Sequence, residues 1–190
     1  VIVRADSGVE KVEDLDGVKF SPGIAGSANE RDAHDVFGAL GIEPKWYVGS
    51  VEDAVKATKD REIAGYTKYA AGREHLDSTA IDLKTYTPIR WLTFSEEQIK
   101  IAKEACPHIP WFYLKKGQIK ELPELEGWAW GIGAGVVTDT RLSQDVVYRM
   151  NKAVFAHSDE ILAAFPGFGP VDAQANFDSF NAYAPPEKNT

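Results

Sequence analysis

The chain has 190 residues, 44% of them hydrophobic, which is enough for a sizeable core in one domain or two small ones. Its formal net charge of −8 and pI near 5.0, with no long basic run, argue against nucleic acid or an anionic membrane surface as partner. A single cysteine, Cys106, rules out an intrachain disulfide, and at a mean hydropathy of −0.29 no run approaches a membrane span.

The opening "VIVRADSG" has neither Met nor a signal peptide. It predicts a short buried strand and reads as the middle of a longer protein, so a fragment or a processed form is expected. Asp14-Leu15-Asp16-Gly17 predicts a turn and "VKFSPG" a strand. A helix follows over Asn29 to Leu40, with Ala33, Val36, Phe37 and Leu40 on one face and Gly41 ending it. After the strand "KWYVG", Ser50 and Asp53 have the spacing of a capping box ahead of Ala54, Val55 and Ala57. "EIAGYTKYAAG" predicts a strand entering a loop, "REHLDSTA" a short helix, "IRWLTF" a strand, and "SEEQIKIAKEA" a helix capped by Ser95. "HIPWFYLKKG" is strand-like, its prolines suggesting a crossover, and "GWAWGIGAGVVTD" is a Gly-interrupted strand. The strongest helix is "SQDVVYRMNKAVFAHSDEILAAF", capped by Ser143, with Val146, Val147, Met150, Val154 and Phe155 as its core face. Asn176 to Tyr183 is a weaker helix or loop, and "APPEKNT" a polar tail. Strands alternating with helices define an α/β protein, in which ligands bind at the carboxyl ends of strands.

The most informative stretch is Gly26-Ser27-Ala28-Asn29-Glu30, where a Gly-Ser turn runs into a helix. Unpaired amides and the macrodipole make a helix start a seat for a carboxylate or phosphate. The stretch lacks the Lys-Ser/Thr of a P-loop and is not a G-x-G-x-x-G. The competing reading is that Ser27 or Asn29 simply caps the helix.

Glu30 and His34 stand at i, i+4, but His75, His108 and His157 are isolated, so no metal set is expected. Ser27 is not in a nucleophile elbow, and Cys106 with His108 two residues on lacks the geometry of a catalytic pair. No catalytic residue and no cofactor are expected. Tyr66, Tyr69, Trp111 and Tyr113 are candidate cleft walls, with Thr67 beside them; core packing is the competing reading for each aromatic. Arg4, just after a buried strand, is either an ion-pair partner or a carboxylate clamp.

In order along the chain, "VIVRADSGVEKVEDLDGVKFSPGIAGSANERDAHDVFGALG", "SVEDAVKATKDREIAGYTKYAAG", "TYTPIRWLTFSEEQIKIAKE" and "WGIGAGVVTDTRLSQDVVYRMNKAVFAHSDEI" resemble the solute receptors of the TAXI family. These are the extracytoplasmic binding proteins of TRAP transporters. The likeness covers almost the whole chain, with Ala28 and Asn29 standing where the family has Gly and Thr, and "LKKGQI" where it has "I-P-A-G-T-Y". The resemblance implies a type II periplasmic-binding-protein-like fold, two α/β lobes around a cleft, with the first lobe incomplete in this chain. Residues 15–112 would be the second lobe, and residues 1–14 and 113–190 the hinge strands and the C-terminal part of the first. It implies a periplasmic receptor, made with a signal peptide in its precursor, that binds a small carboxylated solute such as an acidic amino acid or a dicarboxylate. That solute would be delivered to the membrane components of the transporter, with no membrane insertion of this chain and no nucleic acid. Arg4, Gly26, Ser27, Ala28, Asn29, Glu30, Tyr66, Thr67, Tyr69, Trp111 and Tyr113 would be its ligand contacts. Two rivals share the fold: an enzyme, with Lys68 as its reactive base, and an effector-binding regulatory domain.

Overall fold

A computed structural model describes residues 1–69, 74–132 and 138–164. Short strands set its frame. β1 (Ile2–Arg4) runs antiparallel between β4 (Gly65–Tyr66) and β5 (Ile89–Trp91), with Ile2 opposite both Tyr66 and Trp91. β2 (Lys19–Phe20) and β3 (Lys45–Trp46) pair in parallel. The Ser21 amide donates to the Gly65 carbonyl at 3.0 Å and the Thr67 amide to the Ser21 carbonyl at 2.9 Å. These bonds continue the two sheets into one array in the order β3-β2-β4-β1-β5.

Chain direction decides what lies at each edge. β2, β3, β4 and β5 point the same way and β1 points against them. The loops leaving β2, β3, β4 and β5 therefore share one edge. The carboxyl end of β1 lies at the other, where the Arg4 amide donates to Ala64 O and the Ala5 amide to Pro88 O. At Gly65 a Cβ would stand 2.0 Å from the Ile2 carbonyl, so β4 meets β1 this closely only without a side chain.

Four helices begin at the shared edge, each behind its own cap. Ser27 caps α1 (Ala28–Ala39), Ser50 α2 (Val51–Lys59), Asp77 α3 (Ser78–Tyr86) and Ser95 α4 (Glu96–Ala105), each accepting a first-turn amide on its side-chain oxygen. The capping boxes at Ser50–Asp53 and Ser95–Gln98 close in both directions. α3 departs from the expected "REHLDSTA" helix: Asp77 stops the helix from starting earlier, because its carboxylate takes the Thr79 amide from an extended backbone.

Successive side chains of a strand point to opposite faces, and β1 sorts its own accordingly. Val1 and Val3 join Val12, Leu15, Phe20, Val36, Phe37, Phe94 and Ile99 in one core cluster. Ile2 joins Val51, Val55, Ile63, Tyr66, Leu76, Leu83 and Ile119 in the other. Full burial of a side chain such as Phe37 contributes roughly 1.5–3 kcal/mol.

β6 (Trp111–Leu114) and β7 (Gly127–Trp130) form an antiparallel ribbon, with Trp111 opposite Trp130 and Tyr113 opposite Trp128. The Phe94 amide donates to Trp128 O at 2.8 Å and fastens the ribbon beyond the end of β5. Between the two strands, Ile119, Leu122 and Leu125 reach the second core cluster.

The expected long helix is broken at His157 into α5 (Gln144–Ala156) and α6 (Ser158–Ala164). Its expected core face is not buried by any described residue: Met150 is 53% and Val154 46% exposed. Periodicity identifies a face suited to burial but not the element that would cover it. Residues 133–137 of the Gly-interrupted strand, and Asn176–Tyr183 with the tail beyond, lie outside the described residues. Among the described residues no helix is long and apolar enough to cross a membrane.

Candidate functional site

The site begins where β2 ends. The Ser27 amide donates to Ile24 O at 3.0 Å, which turns the chain into α1. Ser27 Oγ accepts the Glu30 amide at 3.1 Å, and the Gly26 amide donates to Glu30 Oε2 at 2.6 Å. The α1 start is thus capped, as the competing reading expects, and its entering turn also holds a carboxylate supplied by the protein itself. The amides of Ala28 and Asn29 open the helix, where no carbonyl lies four residues back within it. A depression of about 490 Å³ lies over this turn, lined by Gly26, Ser27, Ala28, Glu30, Arg31 and His34. Backbone donors, a carboxylate, a guanidinium and an imidazole surround it.

The loop after β4 is fastened to α1 from behind. Asn29 Nδ2 donates to Thr67 Oγ1 at 2.9 Å, Thr67 O at 3.0 Å and Pro22 O at 3.2 Å, and Thr67 Oγ1 donates to Pro22 O at 2.5 Å. Gly23 makes room for this: a Cβ there would stand 2.1 Å from Asn29 Nδ2, and its φ of +112° favours glycine as well. One helical turn further on, the Tyr69 hydroxyl donates to the buried Asp32 carboxylate. Between these ties, Lys68 turns toward α3 and donates to Asp77 Oδ1 at 2.7 Å and Thr79 Oγ1 at 3.0 Å. Burial works to raise the Asp77 carboxyl, but the hydrogen bonds from Lys68 and Thr79 outweigh it and hold the group below the usual carboxylate range.

Gly26, Ser27, Ala28 and Glu30 line the depression together. Asn29 and Thr67 lie behind it, buried in mutual hydrogen bonds. Tyr69 is half-buried at the side of α1. Tyr66 is 1% exposed and faces the second core, because β4 is an interior strand; burial pushes its phenol up to about 12. Trp111 packs edge-on against Phe94 at 5.2 Å between centroids and contributes to the core. Tyr113 is exposed on the ribbon, against Trp128 and with its hydroxyl donating to Glu126. Arg4 is not brought to the loop at all. It lies at the opposite edge of the sheet because β1 is antiparallel, and its buried guanidinium pairs with Asp6, which Arg61 also holds at 2.8 Å.

Glu30 and His34 do not converge: Glu30 turns back to Gly26, and the His34 ring packs against Trp46 at 4.4 Å between centroids, tilted by 60°. No cluster of three or more His, Cys, Asp or Glu suited to a metal occurs among the described residues. Cys106 is buried, and burial with the nearby Asp35 and Asp32 pushes its thiol up. His108 stands instead 3.9 Å from Asp35 and 4.0 Å from Asp32. Lys68, on which an enzymatic reading would rest, is paired with Asp77 at 2.7 Å. Asp32 and Asp77 were missed by sequence reasoning, although each leaves a signal. Asp32 is a charge on the apolar stripe of α1 beside Ala33 and Val36, and Asp77 is an N-cap residue ahead of Ser-Thr-Ala.

A parallel-type edge with four capped helix starts and a recessed Gly-Ser turn defines a ligand-binding α/β protein. The whole of this region falls within a match, over residues 1–175, to the NMT1-like family, and the chain belongs to that family. It is a periplasmic-binding-protein-like, solute-binding family, and the mixed α/β fold described above is of that kind. No curated protein matches the chain.

Proposed function

We propose that the protein is an extracytoplasmic receptor of the TAXI kind, serving a TRAP-type secondary transporter and binding a small carboxylated solute, an acidic amino acid or a dicarboxylate. The observation that carries this reading is the Glu30 carboxylate on the Gly26 amide at 2.6 Å. It is a carboxylate already seated at a helix start, over a depression wide enough for a small solute. Membership of the NMT1-like family supports the solute-binding role. The four-segment likeness to TAXI receptors supports the transporter assignment.

In this reading the ligand carboxylate displaces Glu30 and takes the amides of Gly26 and Ala28 with the Ser27 hydroxyl. Asn29 and Thr67 hold the floor and Tyr69 forms a wall. Tyr113 belongs to the ribbon side of the cleft, and Arg4 is left to its ion pair. In the same reading residues 15–112 belong to one lobe, into which β1 and the segment around Ile119 and Leu125 also pack, and the rest of 1–14 and 113–190 would belong to the hinge strands and the other lobe. Closure of the lobes traps the solute, no bond is made or broken, and the loaded receptor docks on the transporter outside the bilayer. A thermal-shift series with small acids and amino acids tests the reading. A ligand that binds only the folded state raises the melting temperature by mass action. The reading expects a shift with at least one carboxylated solute and none with its amide. No shift with any acid, in protein freed of co-purified ligand, would return Gly26 to Glu30 to simple capping.

A further inference from the structure

Pairing leaves one side of β5 open. The Leu92 amide donates to Val1 O at 2.9 Å and the Ala5 amide to Pro88 O at 2.8 Å, so by the alternation of an antiparallel ladder Arg90 turns its amide and carbonyl to Val3. Ile89 and Trp91 turn theirs the other way. β5 ends the array, and no described group bonds those amides and carbonyls. A depression of about 440 Å³ runs along this side. Ile89 to Thr93 line one wall and residues 121–126 the other, with no residue of β1 between them. Leu122 and Leu125 pack against the second core cluster and fix the far wall. The groove shares no residue with the depression over the α1 start.

We propose that this groove takes an extended, lysine-bearing segment of a partner protein as an added strand, hydrogen-bonded to Ile89 and Trp91. A three-residue edge offers too few main-chain bonds to hold a strand unaided, so the second wall has to contribute, and its charge selects the occupant. The lining carries Glu121, Glu124 and Glu126 against one cation, Arg90, whose Nη1 donates to Val9 O at 2.6 Å. Glu121 is engaged by His75 at 2.8 Å and by the Leu76 amide at 3.0 Å. Glu124 pairs with Lys116, whose side chain is 60% exposed, a contact that contributes little and exchanges readily. Glu126 accepts the Tyr113 hydroxyl at 3.1 Å and has no ion-pair partner among the described residues. A lysine on the added strand supplies that partner, whereas an acidic segment meets like charge.

Amide hydrogen exchange reads the edge directly, with blocked peptides Lys-Val-Lys-Val-Lys and Glu-Val-Glu-Val-Glu as probes. A fully N-methylated Lys peptide keeps the charge and donates no main-chain hydrogen bond. In the free protein the Ile89 and Trp91 amides should exchange about tenfold or more faster than that of Arg90. The Lys peptide at saturation should slow both about tenfold or more, the range of one main-chain hydrogen bond, and the other two peptides should not. Glu124→Lys with Glu126→Lys, at two exposed positions, should transfer the effect to the Glu peptide. Ile89 and Trp91 amides already protected in the free protein would mean that the edge is covered, and would overturn the proposal. Equal protection by the N-methylated peptide, or none by the Lys peptide, would overturn strand addition. A Lys preference that survives the charge reversal would overturn the choice of occupant.

Discussion

Asn29, in the first turn of α1, donates its side-chain amide to both oxygens of Thr67, at 2.9 and 3.0 Å, across 38 positions of sequence. Both residues are buried, so these bonds have no water to replace them. They tie the start of α1, the proposed seat, to the strand end that carries Lys68 and Tyr69.

Asn29→Ala should therefore destabilise the protein by about 1–3 kcal/mol, the usual cost of leaving buried partners unsatisfied. Urea denaturation measures it. In a double-mutant cycle with Thr67→Val, the two losses should be clearly non-additive, since each removes the same contact.

Gly65→Ala should be among the most damaging single changes. Its Cβ would stand 2.0 Å from the Ile2 carbonyl and 2.7 Å from Val3 Cα, and backbone on an interior strand has nowhere to retreat. A loss at or above about 3 kcal/mol is expected, read as melting temperature or soluble yield.

Tyr66 predicts an alkaline dependence. Burial raises its phenol from the ordinary value of 10.0 to about 12 in the folded state. The folded pKa is the higher one, so stability from the neutral phenol is complete below pH 10 and is lost as pH rises toward 12. Tyr66→Phe should flatten that part of the stability–pH curve. At pH 7 it should be close to neutral, because among the described residues the buried hydroxyl has Thr79 beside it but no hydrogen bond of good geometry to lose.

Glu30→Gln tests the internal competitor. Removing its charge weakens the hold on the Gly26 amide, at a cost of about 0.3–1 kcal/mol in stability. The same change should strengthen binding of a monocarboxylate by about two- to fivefold, measured by calorimetry.

Much of the frame was legible in the chain because local chemistry dictates it. Ser27, Ser50 and Ser95 stand at cap positions that need only their own first turn to be recognised. Ala33, Val36 and Phe37 form a stripe that any helix would bury. What could not be read was set by long-range placement. Arg4 looked like a clamp because its strand was recognised, but its antiparallel direction depends on pairing with residues some sixty and eighty-five positions away. Tyr66 looked like a cleft wall because nothing local shows that β4 has neighbours on both sides. The apolar face of α5 was visible, and its lack of a described partner was not.

The most direct test of the central claim is the backbone amide spectrum of labelled protein during titration with succinate. The account predicts saturable shifts at Gly26, Ser27 and Ala28, with smaller ones at Thr67 to Tyr69, and a chemical-shift change at the Glu30 carboxyl as it leaves the Gly26 amide. Saturable shifts confined to other parts of the molecule, with Gly26 to Glu30 unmoved, would contradict the account.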